Sequence, residues 1–181
     1  VWMGSKEYMF DQIKDKISQG FKCIKIKIAA IDFQEELDLL KYIRSQFSSD
    51  DIEIRVDANG GFKLNEAFDN LNRLSEFDLH SIEQPIAQGN SAEMAVLCKE
   101  SPIDIALDEE LIGVDVETQG AELLQIIKPQ YIILKPSLVG GFAKSEKWFA
   151  LAKENNIKWW ITSALESNIG LNAIAQWTST L

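Results

Sequence analysis

Apolar positions along the chain follow two periods. In "KCIKIKI" (22–28), Ile24, Ile26 and Ile28 fall on one side and Cys23, Lys25 and Lys27 on the other. A period of two is a strand. Further short runs rich in β-branched residues are "IEIRVD" (52–57), "HSIEQ" (80–84), "DIALDEE" (104–110), "YIILK" (131–135) and "WWITS" (159–163), and the opening "VW" reads as the tail of one more strand. Between them the period lengthens to that of a helix. The helical stretches are "KEYMFDQIKDKISQ" (6–19), "DFQEELDLLKYIRSQF" (32–47), "NEAFDNLNRLSEF" (65–77), "SAEMAVLCKE" (91–100), "DVETQGAELLQII" (115–127), "AKSEKWFALAKENN" (143–156) and "IGLNAIAQWTSTL" (169–181). Asn65 and Ser91 are placed to cap the third and fourth of these. Strand and helix alternate without a tight hairpin signal, which predicts an α/β fold of parallel strands joined by crossover helices.

The unit length narrows the fold. From Lys27 the polar residues ending successive strands are Asp57, Glu83, Asp108, Lys135 and Ser163, at steps of 30, 26, 25, 27 and 28 residues. A βα barrel of ~250 residues divided among eight units has repeats of that length. Doubly wound sheets have similar units, but they gather ligand groups near one switch point. Polar groups at the end of every unit fit a barrel, whose strand ends share one mouth.

Charge and cysteine usage restrict the function classes. The 181 residues carry a formal net charge of −10 and a single histidine, so no basic stripe is available for nucleic acid or an anionic membrane. No apolar run approaches the roughly 20 residues of a membrane helix, and no charged start precedes an apolar stretch as in a signal peptide. Cys23 and Cys98 lie in apolar patterns and read as reduced, buried thiols of a cytoplasmic protein. His80 has no second histidine to form a zinc site or a triad and reads as a loop or strand-edge residue. The Trp159–Trp160 pair reads as core bulk rather than a stacking platform.

Two lysines on one face of a strand are out of place in a buried sheet. They make sense if that face meets a wet, anionic mouth. Asp57, Glu83 and Asp108 place three carboxylates at three consecutive strand ends. Such groups repel one another unless a cation lies between them, and an oxygen-only ligand set suits Mg²⁺ or Mn²⁺ rather than zinc. Lys25 and Lys27 precede the acids and Lys135 follows them, so a small-molecule carboxylate held at the metal would lie between two ammonium groups. A lysine is a general base only when neutral, a form favoured by a second cation two residues away and a divalent metal nearby. The pattern predicts metal-assisted removal of a proton next to a carboxylate, the combination of Lys base and Mg²⁺ described for the enolase superfamily.

The motifs "KIK", "DANGG", "SIEQP", "ALDEEL" and "ILKPSLVGG" resemble the barrel domain of the muconate-lactonizing-enzyme subgroup of that superfamily. Within it, "VWMG", "LKPSLVGGF" and "ITSALESNIGLNAIAQW" most resemble the o-succinylbenzoate synthases. The resemblance implies a TIM-like (β/α)7β barrel and a carbon–oxygen lyase. Its reaction dehydrates 2-succinyl-6-hydroxy-2,4-cyclohexadiene-1-carboxylate to o-succinylbenzoate in menaquinone biosynthesis. It also implies Lys27 as base with Lys25 as its partner, and Lys135 as the cation over the ring face of an enolate. Asp57, Glu83 and Asp108 would be the Mg²⁺ ligands, Asn59 would line the metal and substrate site, and Thr162 and Ser163 would stand near the succinyl group. N-acylamino-acid racemases, dipeptide epimerases and muconate cycloisomerases share these residues and are the alternatives, beside a catalytically inactive fragment. Family members have a capping domain on the N-terminal side and a final strand after "AIAQW". Neither falls within residues 1–181, which therefore read as a partial barrel domain of at most seven strands. Its open edges predict pairing with another chain, as in a homo-oligomer.

Overall fold

The predicted strands form because their isoleucines, valines and leucines need a dry face on every second position. In the computed structural model, which describes residues 1–181, they are β1 (Cys23–Lys27), β2 (Glu53–Asp57), β3 (Ser81–Glu83), β4 (Ile105–Leu107), β5 (Tyr131–Leu134) and β6 (Lys158–Ile161). All pairings are parallel, and the order β1-β2-β3-β4-β5-β6 follows the sequence, so the sheet curls into a half-barrel. The helices are α1 (Lys6–Ser18), α2 (Phe33–Arg44), α3 (Leu64–Leu74), α4 (Ser91–Glu100), α5 (Gly120–Ile127), α6 (Pro136–Val139), α7 (Gly141–Glu154) and α8 (Asn168–Thr178). No helix is long and apolar enough to cross a membrane.

The main core lies between the outer face of the sheet and the helices. Ile24, Ile26, Ile54, Val56, Ile82, Ile105, Leu107, Ile132 and Leu134 pack there against Leu40, Leu71, Leu124 and Trp148 of the helices. The opposite, concave face carries Lys25, Lys27, Arg55 and Asp57, with a small separate apolar group of Ala106, Tyr131 and Ile133. The Trp159–Trp160 pair divides between the faces. Trp159 stacks on Phe149 of α7, while Trp160 lies against Tyr131 and His80, with the Arg55 guanidinium 4.4 Å from its ring centre.

Six strands form rather than seven, but the opening "VW" does extend the sheet. The Val1 nitrogen donates to Lys25 O at 2.7 Å and Lys27 N donates to Val1 O at 3.2 Å, the bond pattern of a parallel pair opposite Ile26. Four local expectations are corrected. The helix after "DANGGFK" starts at Leu64 with Lys63 in the cap position, so Asn65 lies inside it. Asn90 precedes α4, and Ser91 is its first residue, with its hydroxyl turned to Glu110 instead. Residues 115–119 form a turn about Asp115, whose carboxylate takes the Thr118 hydroxyl and Lys144, and the helix begins only at Gly120. Cys98 is buried as expected, but Cys23 is exposed because it sits at the start of β1 on the concave face. Neither thiol is in a disulfide, and burial pushes Cys98 up to about 12.

The asymmetry between the faces is measurable. Ile54 is completely buried in the outer core, so Ile54→Ala should cost about 2–5 kcal/mol of unfolding free energy. Cys23→Ser on the open face should stay within about 0.5 kcal/mol of the unsubstituted chain. Urea unfolding followed by circular dichroism checks both.

Candidate active site

The register of the sheet assembles the site. Lys27 pairs with Asp57 across β1 and β2, and Asp57 with Glu83 across β2 and β3, so three charged side chains stand abreast. Glu83 in turn pairs with Ala106, which leaves Asp108 two residues beyond the aligned row, at the end of β4. Lys135 follows the last residue of β5 in the same way. This stagger is what a curling sheet imposes, and it carries the rim upward from acid to acid toward Lys135.

Asp57 is completely buried and shared. Its Oδ2 accepts from Lys27 Nζ at 2.6 Å and lies 2.9 Å from Lys25 Nζ, while its Oδ1 accepts from Asn59 N at 3.0 Å. Burial pushes the Asp57 carboxyl up, but the Lys25 and Lys27 ammonium groups outweigh it and hold it below the usual range. Lys25 also pairs with Glu83. Burial would lower Lys25, yet Glu83 and Asp57 reverse the effect and hold its ammonium above the ordinary value. Lys135 pairs with Asp108 and stands 3.7 Å from Glu83 Oε1, and those acids raise it in the same way against burial. Burial pushes Glu83 up to about 8 against the pull of Lys25, with the Asp57 charge adding to the rise.

The rim therefore sets three lysines against three carboxylates. Lys25 is not a bare cation beside Lys27, because both bind the same oxygen of Asp57. Each acid is turned to a lysine, and no three acidic, His or Cys side chains stand together as a ready-made metal site. The physical cause is the repulsion that motivated the metal, which the ammonium groups relieve. At the centre of the rim, Glu83 Oε1 is buried without a hydrogen-bond donor. An orphaned carboxylate oxygen among hard oxygen donors fits a hard divalent cation.

A cavity of about 410 Å³ opens over the rim. Lys25, Lys27, Lys135, Thr162 and Ser163 line it together with Val1, Trp2, Leu138 and Leu165. Asn59 is not among its walls. It sits behind Lys27, its Oδ1 accepting from Lys27 Nζ at 2.6 Å and its Nδ2 donating to Glu109 Oε1 at 2.9 Å. The "DANGG" turn that presents Asn59 leaves no room for larger residues. A Cβ on Gly61 would stand 2.7 Å from the Ala29 Cβ, and Gly60 has φ +73°. Glu166 fastens the loop that carries Thr162 and Ser163, accepting from Ala164 N at 2.7 Å and pairing with the Ser137 hydroxyl. Glu166, Glu109, Glu110 and Gln84 were not singled out in the sequence, although "SIEQP" and "ALDEEL" contain three of them.

Residues 8–181 match the enolase C-terminal domain-like family, and the chain belongs to it. It is 57% identical over 179 residues to the o-succinylbenzoate synthase of Desulfotalea psychrophila, covering 99% of this chain and 48% of that protein. The crystal structure of MenC from the same organism superposes with a TM-score of 0.91 at 56% identity, over 99% of this chain and 49% of that one. The o-succinylbenzoate synthase of Bacillus subtilis is 31% identical over 184 residues, 98% of this chain and 47% of that protein. A racemase from Streptomyces coelicolor, solved with bound magnesium, has a TM-score of 0.77 at 25% identity, over 88% of this chain and 43% of that one. The chain thus spans about half the length of the relatives it matches.

Because Asp57 separates two ammonium groups, its loss should be felt in stability. Asp57→Asn is expected to cost up to about 3 kcal/mol, short of the value for a fully buried pair because both lysines keep some access to water. Added salt should recover part of the loss by screening the half-buried lysines. Urea unfolding at low and high ionic strength is the check.

Proposed function

We propose that the rim is the active site of an o-succinylbenzoate synthase, with residues 1–181 supplying its catalytic barrel portion. The observation that carries this reading is the single cavity faced by Lys25, Lys27, Lys135, Thr162 and Ser163 above the three strand-end carboxylates. Family membership and the 57% identity to a synthase support it. Asp57, Glu83 and Asp108 would hold Mg²⁺, or Mn²⁺ in its place, competing with the lysines for the same oxygens. When bound, the metal would supply positive charge to the substrate carboxylate and so stabilise electron density left by a departing proton.

The lysines then have distinct tasks. Lys27 takes the ring proton beside the carboxylate, and Asn59 orients its amine. The electron pair of that C–H bond forms the last double bond of the aromatic ring as the C–O bond to the hydroxyl breaks. The hydroxyl departs as water with the proton that Lys27 has gained. Lys25 holds a fixed positive charge beside the base, and Lys135 places its cation against the other face of the ring. Thr162 and Ser163 offer hydroxyls to the succinyl chain.

The test is turnover of the cyclohexadiene carboxylate with Mg²⁺, read by the absorbance of the aromatic product. Lys27→Ala should lose about 10²–10⁴-fold in rate, and Asp108→Asn should lose turnover and metal affinity while keeping its circular dichroism. Near-normal rates for Lys27→Ala at every pH would remove the base, and full activity of Asp108→Asn with chelator present would remove the metal. Racemisation of N-acylamino acids without dehydration would keep the mechanism and change the substrate.

A further inference from the structure

Directly after Glu83 the chain does something uncommon for a residue with a Cβ: Gln84 takes φ +39° and is completely buried. An outlier of this kind next to a functional residue invites a functional account, and the hydrogen bonds of Gln84 supply one. Its Oε1 accepts from Asp108 N and from Glu110 N, both at 3.2 Å. Its Nε2 donates to Ile86 O at 3.0 Å and to Glu110 Oε2 at 3.1 Å. All four places on the carboxamide are filled. The main chain adds two more bonds, Gln84 N to Ala106 O at 2.9 Å and Gly60 N to Gln84 O at 2.7 Å. One residue is therefore tied to the turn after Asp57, to the end of β3 beside Glu83, and to the backbone of Asp108.

Glu110 completes the arrangement. It is buried, and its second oxygen accepts from Gly89 N at 3.0 Å and from the Ser91 hydroxyl at 3.2 Å. This carboxylate faces no lysine and lines no part of the mouth cavity. A buried charge is costly unless hydrogen-bonded throughout, and Glu110 spends its bonds on Gln84 and on the chain leading into α4. Neither side chain touches the space where a substrate would lie.

We propose that Gln84, backed by Glu110, is a positioning residue: a splint that fixes the spacing of Glu83 and Asp108 and so sets the affinity of the site for a divalent cation. The inference rests on the reading of Asp57, Glu83 and Asp108 as metal ligands. Partners behind metal ligands commonly govern affinity in this way, and their loss weakens binding about 10–100-fold.

The test titrates Mn²⁺ into the unsubstituted chain, Gln84→Met, and the exchanged pair Gln84→Glu/Glu110→Gln. Free ion is followed by electron paramagnetic resonance and folding by circular dichroism. Gln84→Met changes side-chain volume little, and neither variant alters the net charge, so long-range attraction for the ion is constant. In the exchanged pair the donor and acceptor swap sides, and the bond to Ile86 O is replaced by a carboxylate oxygen facing that carbonyl, a local cost that circular dichroism and thermal stability report. Gln84→Met should bind Mn²⁺ about 10–100-fold more weakly, and the exchanged pair should return to within about threefold of the unsubstituted chain. Should Gln84→Met fail to fold, Gln84→Asn replaces it with the same expectation, since its amide ends one methylene short of Asp108 N. A folded Gln84→Met or Gln84→Asn chain with affinity within about threefold of the original overturns the splint, whatever it loses in thermal stability. So does a folded exchanged pair that binds as weakly as Gln84→Met. An unsubstituted chain that takes up no Mn²⁺ overturns the metal reading itself, and the splint with it.

Discussion

Everything at the mouth depends on matching buried negative charge with lysine. Asp57, Glu83 and Asp108 are 0, 2 and 2% exposed, and carboxylates so placed cannot all remain ionised without cations beside them. Lys25, Lys27 and Lys135 supply the compensation, and they can do so only because the strands are parallel and point their ends the same way. Antiparallel pairing would send alternate strand ends to opposite rims. The in-register row Lys27, Asp57, Glu83 then follows from hydrogen bonding of the backbone alone.

The same constraint explains the two faces of the sheet. Side chains alternate across a strand, so a residue at the rim on the concave face forces its neighbours outward. Between Lys25 and Lys27 stands Ile26, and between Arg55 and Asp57 stands Val56, both buried beneath the helices. The dry layer between sheet and helices anchors the strands, and the polar layer is held in place by that anchorage. Glu36 of α2 shows how far the support extends. This buried carboxylate accepts from Ala30 N at 3.0 Å and Ile31 N at 3.3 Å, tying down the loop that leaves β1 just after Lys27.

Alternation made the outer core and the strand ends legible, because periodicity and spacing are local properties of the sequence. "KCIKIKI" contained its own orientation, and unit lengths of 25 to 30 residues put the acids on one rim. Features set by tertiary contacts were not legible. Asn65 and Ser91 have the chemistry of caps, but the paths of the turns before them put the cap positions at Lys63 and Asn90, two residues and one residue earlier. Cys23 sits in an apolar pattern yet lies exposed, since the pattern records the outer face and this thiol belongs to the other. The pairing of each rim carboxylate with a lysine is also a tertiary contact that strand spacing does not show. Gln84 was the deepest omission. A left-handed backbone at a glutamine has no sequence signature, and "EQ" at a strand end reads like any polar terminus.

The six charged groups also explain why this rim alone does not choose among reactions. Racemisation needs a proton removed from one face of a carbon and returned to the other, which requires a functional group on both sides. Dehydration needs a base on one side only, and the opposite group has merely to hold charge. With Lys27 on one side of the acids and Lys135 on the other, the proposed roles are compatible with either demand. The choice then falls to the substrate's own leaving group and to what the cavity admits. Its uncharged walls are the Thr162 and Ser163 hydroxyls and the apolar Val1, Trp2, Leu138, Ala164 and Leu165, which can select a molecule by shape and hydrogen bonding. Under the proposed function, the charges that would move a proton and the walls that would shape the cavity belong to different residues of one mouth.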